Sequence, residues 1–194
     1  MRNQPWPKQQ QRKQQQGFTL IELIVALVIV ATLAVVAAPR FLNFSNNAFE
    51  ASIKGVEAAL ASSLSFADAK IAIDNADTSI DYQGQTISLT GGMPAASAGT
   101  LRALLNIEVP PSWTRNWQTV PCSEPEFCIL GNMFPGKNGY VAVPDYPLTQ
   151  NGGQDRASYI WPRGYVLKSN GCYAFYINEA TKGVYYSGSI VEGC

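Results

Sequence analysis

Glu22 is the only charged residue in the 21-residue run FTLIELIVALVIVATLAVVAA at residues 18–38. A lone carboxylate in hydrocarbon costs roughly 2.5–3.5 kcal/mol or more, so it is retained where something neutralises it. Near the start of a helix it also complements the positive end of the helix dipole, and the sequence leaves both roles open. Cys122, Cys128, Cys172 and Cys194 are the other reactive group. In an oxidising compartment they form disulfides; as zinc ligands they would need four thiolates without a single C-x-x-C pair. Four cysteines allow three pairings, among which proximity along the chain favours Cys122 with Cys128 and Cys172 with Cys194.

The remaining candidates are weaker. The chain has no histidine, which excludes Ser-His-Asp triads, Cys-His dyads and His-ligated metals or haem. GNMFPGKN at residues 131–138 matches G-x-x-x-x-G-K but has Asn138 where a phosphate loop needs Ser or Thr, and Pro135 removes an amide donor. A turn accounts for it better. Asp74, Asn75, Asp77, Ser79 and Asp81 could offer oxygens to calcium, but they lack the glycine and terminal glutamate of an EF-hand loop, so a solvated loop is expected. Trp113, Trp117 and Trp161 could stack on a surface glycan, although core packing is the commoner fate of such rings. No nucleophile has an identifiable base. The expectation is therefore no enzymatic activity, cofactor or metal.

These residues need elements to place them. As a helix, residues 18–38 measure roughly 31 Å, about one hydrocarbon core. Arg2, Lys8, Arg12 and Lys13 precede the run with no acid among the first 17 residues. This basic flank should stay cytoplasmic and leave the rest of the chain outside. Removing those four from the 14 Lys and Arg leaves ten against 14 Asp and Glu, a body of about −4 that disfavours nucleic acid as a partner. The small residue suited to cleavage, Gly17, precedes the apolar run, so cutting there would keep the helix. Beyond Pro39, apolar residues at Phe41, Phe44, Ala48, Ile53, Val56, Leu60, Leu64, Ala67 and Ile71 are spaced mostly by three or four. That pattern predicts a continuing amphipathic helix to about residue 73. Pro39 inside it removes a backbone hydrogen bond and predicts a kink. From residue 74 the texture changes to that of a glycine- and proline-rich head. Strands are expected at 82–89 and 140–143, a helix at 98–106, and a terminal hairpin with Tyr173, Phe175 and Ile177 leading through a turn at 178–183 to a returning strand at 184–190. Pro110, Pro111, Pro121, Pro125, Pro135, Pro144, Pro147 and Pro162 punctuate the middle into loops.

The segment GFTLIELIVALVIVATLAVVAAP resembles the N-terminal signature of type IV prepilins, the G-F-T-L-x-E class. The resemblance implies an α+β pilin fold: a long N-terminal helix packed on a small antiparallel β head whose C-terminal loop is closed by a disulfide. It implies a leader at 1–17 that prepilin peptidase cleaves after Gly17, N-methylation of Phe18, a helix at 18–73 and a head at 74–194. Glu22 would meet the terminal amine of a neighbouring subunit during assembly, and Pro39 matches the proline many pilins carry. Implied partners are other pilin copies in a homopolymer, the membrane, an inner-membrane assembly platform and a cytoplasmic assembly ATPase. AAPRFLNF at 37–44, YIWPRGY at 159–165 and GCYAFYI at 171–177 are similar to mannose-sensitive haemagglutinin (MSHA) type pilins. The function so implied is an extracellular pilus subunit mediating attachment. Two alternatives remain: a pseudopilin of a type II secretion system, and a membrane-tethered carbohydrate-binding module.

Overall fold

A computed structural model describes residues 18–108, 117–124, 126–135, 141, 143, 146 and 155–194, without the side chains of 38–45. The described elements are α1 (Leu20–Asp74), β1 (Ser79–Tyr82), β2 (Gln85–Thr90), β3 (Met93–Pro94), α2 (Ala98–Leu105), β4 (Phe127–Met133), β5 (Arg156–Pro162), α3 (Leu167–Asn170), β6 (Tyr173–Glu179) and β7 (Val184–Ile190). The architecture is α+β: an apolar N-terminal helix, antiparallel sheets and disulfides toward the C-terminus. Two compact units are present, Met1–Asn43 and Phe44–Cys194, and α1 contributes to both.

Within the second unit, α1 buries a stripe. Ile53, Leu60, Leu64 and Ala67 are fully enclosed, and Val56 and Ile71 pack beside them, at the three-and-four spacing of one helix face. Their partners are Ile80 and Ile87 of the small sheet, Leu101 and Leu104 of α2, and Ile129, Ile160, Ala174 and Tyr176 of the larger sheet. Beside the stripe, Glu50 and Lys54 form the i,i+4 ion pair at 2.6 Å that suits an exposed helical surface.

The larger sheet is an antiparallel meander, β4-β5-β6-β7. Strand alternation sends successive side chains to opposite faces, and here both faces are covered. Ala174 and Tyr176 of β6 join the core beneath α1, whereas Tyr173, Phe175 and Ile177 join a second core with Trp117, Val141, Val143, Tyr146, Tyr159 and Trp161. Every residue of β6 is consequently buried. The smaller sheet, β1-β2-β3, is tied to β6 through polar groups: Tyr176 donates to the Pro94 carbonyl at 2.7 Å, and the Asn178 amide donates to the carbonyls of Thr90 and Pro94. Helix α2 is closed at both ends. Ser97 accepts the Thr100 N–H at 3.0 Å, and Asn106 takes the left-handed conformation at the C-terminal end.

The structure corrects several expectations. Residues 82–89 are not one strand. Gln83 and Gly84, both at positive φ, turn the chain between β1 and β2, with the Asp81 carboxylate accepting the Gly84 N–H. The terminal hairpin forms, but β6 runs through Glu179 and the turn begins at residue 180. The middle of the head, expected as loops, contains β4 and β5. Pro162 is the last residue of β5, opposite Phe127, where its missing N–H is tolerated at the strand end. The strand expected at 140–143 falls partly outside the described residues; Val141 and Val143 are buried but lie in none of the described strands.

Leu64 and Phe66 separate burial from composition on one helix. Leu64→Ala should cost about 2–5 kcal/mol by leaving a cavity. Phe66, 68% exposed, should change stability by about 0.5 kcal/mol or less on truncation to Ala. Denaturant unfolding of the two variants measures the difference.

Candidate functional site

The chemistry at the start of α1 is built from Thr19 and Glu22. The Thr19 hydroxyl accepts the Glu22 N–H at 3.3 Å, while the Thr19 N–H and hydroxyl both donate to Glu22 Oε2, at 2.9 and 2.8 Å. This is a reciprocal capping box, with the helix beginning at Leu20 and the carboxylate three positions past the cap. Sequence reasoning missed Thr19, although the T-x-x-E spacing before an apolar run is its signal. The carboxylate is thus held beside the amide end of the helix, where its charge is favourable.

Beyond this cap the helix is apolar on every side. Residues Leu20–Ala37 have a mean hydropathy of 2.9, and none is buried. Phe18, which precedes the cap, is 89% exposed. Each exposed aliphatic side chain in this stretch forgoes about 1.5–3 kcal/mol that burial would supply. Such a helix requires lipid or another protein around it. Gly17 and the leader lie outside the described residues, as does the Pro39 side chain expected to kink the helix.

In the head, Cys122 is bonded to Cys128 and Cys172 to Cys194, with no free cysteine. Tyr165 connects the two. Its carbonyl accepts the Cys122 N–H at 2.8 Å, its hydroxyl donates to the Cys194 carbonyl at 2.8 Å, and its ring meets Phe49 of α1 edge-on at 5.1 Å. The closing strand is held to the helix as well: Tyr185 donates to Asp68 at 2.7 Å, and Ser189 donates to Glu57 at 2.5 Å. Tyr165 and these two pairs had no local sequence signal, since their partners lie 29 to 132 residues away.

The other candidates are accounted for otherwise. Gly131 of the apparent phosphate-loop motif lies inside β4, so close to the backbone of Ser97 and Ala98 that no Cβ would fit; residues 136–138 lie outside the described residues. Asp74 pairs with Lys70 at 2.9 Å, and among the described residues no three His, Cys, Asp or Glu side chains converge as a metal site. Trp161, 1% exposed, and Trp117 are buried in the second core, the packing role expected of such rings, and are not open to stack on a glycan; Trp113 lies outside the described residues.

Comparison with known proteins points to the same end of the chain. Residues 12–38 match the prokaryotic N-terminal methylation motif. The chain is also 39% identical over 51 residues to the type IV narrow pilus major component PilA5 of Thermus thermophilus, a match covering 26% of this chain and 44% of that protein. No solved structure matches the chain. The motif and this relative support the type IV pilin family.

The latch between β7 and α1 has a pH signature. Burial, then the hydrogen bond to Asp68, pushes Tyr185 up to about 12, and burial with Glu192 nearby pushes Tyr173 up to about 12. An unfolded tyrosine releases its proton near pH 10, so between pH 10 and 12 the unfolded state binds fewer protons and the derivative of stability with pH is negative. The stabilisation is complete below pH 10 and declines toward 12. Thermal unfolding followed by circular dichroism should show Tm falling across that window, and Tyr185→Phe should flatten part of the fall.

Proposed function

We propose that this chain is made as a prepilin and becomes a structural subunit of an extracellular type IV pilus of the MSHA type, acting in attachment and surface colonisation. The observation that carries the reading is the apolar, uncovered helix Leu20–Ala37, which lies within a match to a methylation motif at residues 12–38. A segment of this kind is stable in a bilayer and equally stable in a bundle of its own copies. The same helix can therefore serve first as anchor and then as polymer core.

In this reading residues 1–17 are a cytoplasmic leader removed by prepilin peptidase after Gly17, and Phe18 becomes the methylated terminus. Residues 18–73 form the assembly helix and 74–194 the exposed head. The new terminal amine lies four residues from Glu22, within reach of the same helix end. In a staggered bundle, the Glu22 carboxylate exchanges its capping bonds for the amine of a neighbouring copy, and two charges leave the apolar environment together. A bend at Pro39 would let the helix yield within the fibre. An inner-membrane platform and a cytoplasmic ATPase supply the work of extraction. Any glycan contact uses head groups other than Trp117 and Trp161.

Glu22→Ala tests the assembly step. The variant should be cleaved and accumulate in the inner membrane while fibres sheared from the cell surface fall about tenfold or more, equivalent to at least about 1.4 kcal/mol of lost coupling. Glu22→Gln should resemble it, since the amide cannot neutralise an amine. Fibres in normal number from both variants would contradict the role given to Glu22.

A further inference from the structure

The outer strands of the larger sheet, β4 and β7, are treated differently. The edge of β4 is blocked: Asn132 donates its N–H to the Ala96 carbonyl at 2.8 Å, and residues 97–98 press on Gly131. β7 pairs with β6 in unbroken register, and among the described residues no backbone hydrogen bond reaches its other edge. Its sequence, VYYSGSI, has no charge and no proline, so the strand itself lacks the residues that usually protect an edge. Val184, 40% exposed, and Tyr186, 43% exposed, add apolar surface beside the unpaired backbone.

We propose that β7 is a self-association edge on which a second copy of this chain adds its own β7, antiparallel and centred on Ser187. The strand is complementary to itself in that register. Tyr186 lies across from Gly188 of the second copy, whose missing side chain leaves its own Phe175 ring at that position, so ring meets ring and the two-fold axis repeats the contact. Val184 faces Ile190 of the second copy, and Ser187 faces Ser187 across the axis, hydroxyl to hydroxyl. With no charge in the strand, the paired edges themselves bring no like charges together. Tyr185 and Ser189 are already fixed to Asp68 and Glu57 of α1, so the edge is ordered before it pairs and little entropy is lost on binding.

The contact is isologous and closes at two copies. A continuous pleat places residues 44–74 of both copies on one face of the joined sheet, running in opposite directions. Under the pilus reading, on which only this consequence rests, subunits of one polar fibre share a direction. The β7 contact then joins two fibres lying antiparallel.

Oxidative cross-linking of the full chain in detergent micelles tests the proposal, with Ser187→Cys at the axis and Val120→Cys as an exposed position away from it. A covalent dimer through residue 187, with residue 120 remaining monomeric, is expected, and Ser187→Lys should abolish concentration-dependent dimer formation. Cross-linking at neither position, or equally at both, overturns the proposal. Hydrogen exchange on the unaltered chain needs no substitution: amides of residues 184–190 should slow as protein concentration rises, and concentration-independent exchange overturns it. Neither readout depends on leader cleavage or on Glu22, so this proposal and the pilus reading can fail separately.

Discussion

An apolar helix surface with nothing covering it is the constraint on which the molecule turns. Residues 20–37 cannot be satisfied by the chain that carries them, and the lost burial of so many aliphatic groups far exceeds the marginal stability of a domain. The helix needs an apolar environment, lipid or protein, rather than water. The capping box of Thr19 and Glu22 fits that requirement. It gives a lone carboxylate local partners while leaving its second oxygen without a hydrogen bond among the described residues.

The head solves a different problem with the same helix. Between Ile53 and Ile71 α1 buries a stripe, and that stripe is matched by one face of β6 while the opposite face of β6 anchors a second core. A sheet buried on both sides needs closure at its margins. The two disulfides and Tyr165 provide it at one end, and the hydroxyl–carboxylate pairs of Tyr185 and Ser189 tie the last strand to the helix. The chain-entropy model assigns the Cys172–Cys194 loop roughly 3 kcal/mol, a large fraction of what a domain of this size retains.

Legibility in the sequence followed the range of the interactions. Helix α1, the stripe from Ile53 to Ile71, helix α2 and the terminal hairpin all announced themselves through periodicity or capping residues within a few positions. Strands β4 and β5 did not, because Pro125, Pro135 and Pro162 mark loop punctuation locally, whereas the strands are specified by pairing across a long connection. The turn at Gln83 and Gly84 was hidden because a two-residue turn interrupts alternation so briefly. Trp161 carried the ambiguity of every aromatic, and only the sheet's second buried face decides it. At the candidate site Glu22 was conspicuous as a charge among apolar residues. Thr19 was missed, although its spacing to Glu22 was in plain view.

The central claim is that the uncovered helix is anchor first and fibre core afterwards. Intact-mass and N-terminal analysis of protein sheared from the cell surface tests it most directly. The account predicts a chain beginning at methylated Phe18, with all four cysteines oxidised, in the sheared fraction. A processed chain confined to the membrane would instead fit a pseudopilin of a type II secretion system, and a chain still carrying residues 1–17 would contradict the account outright.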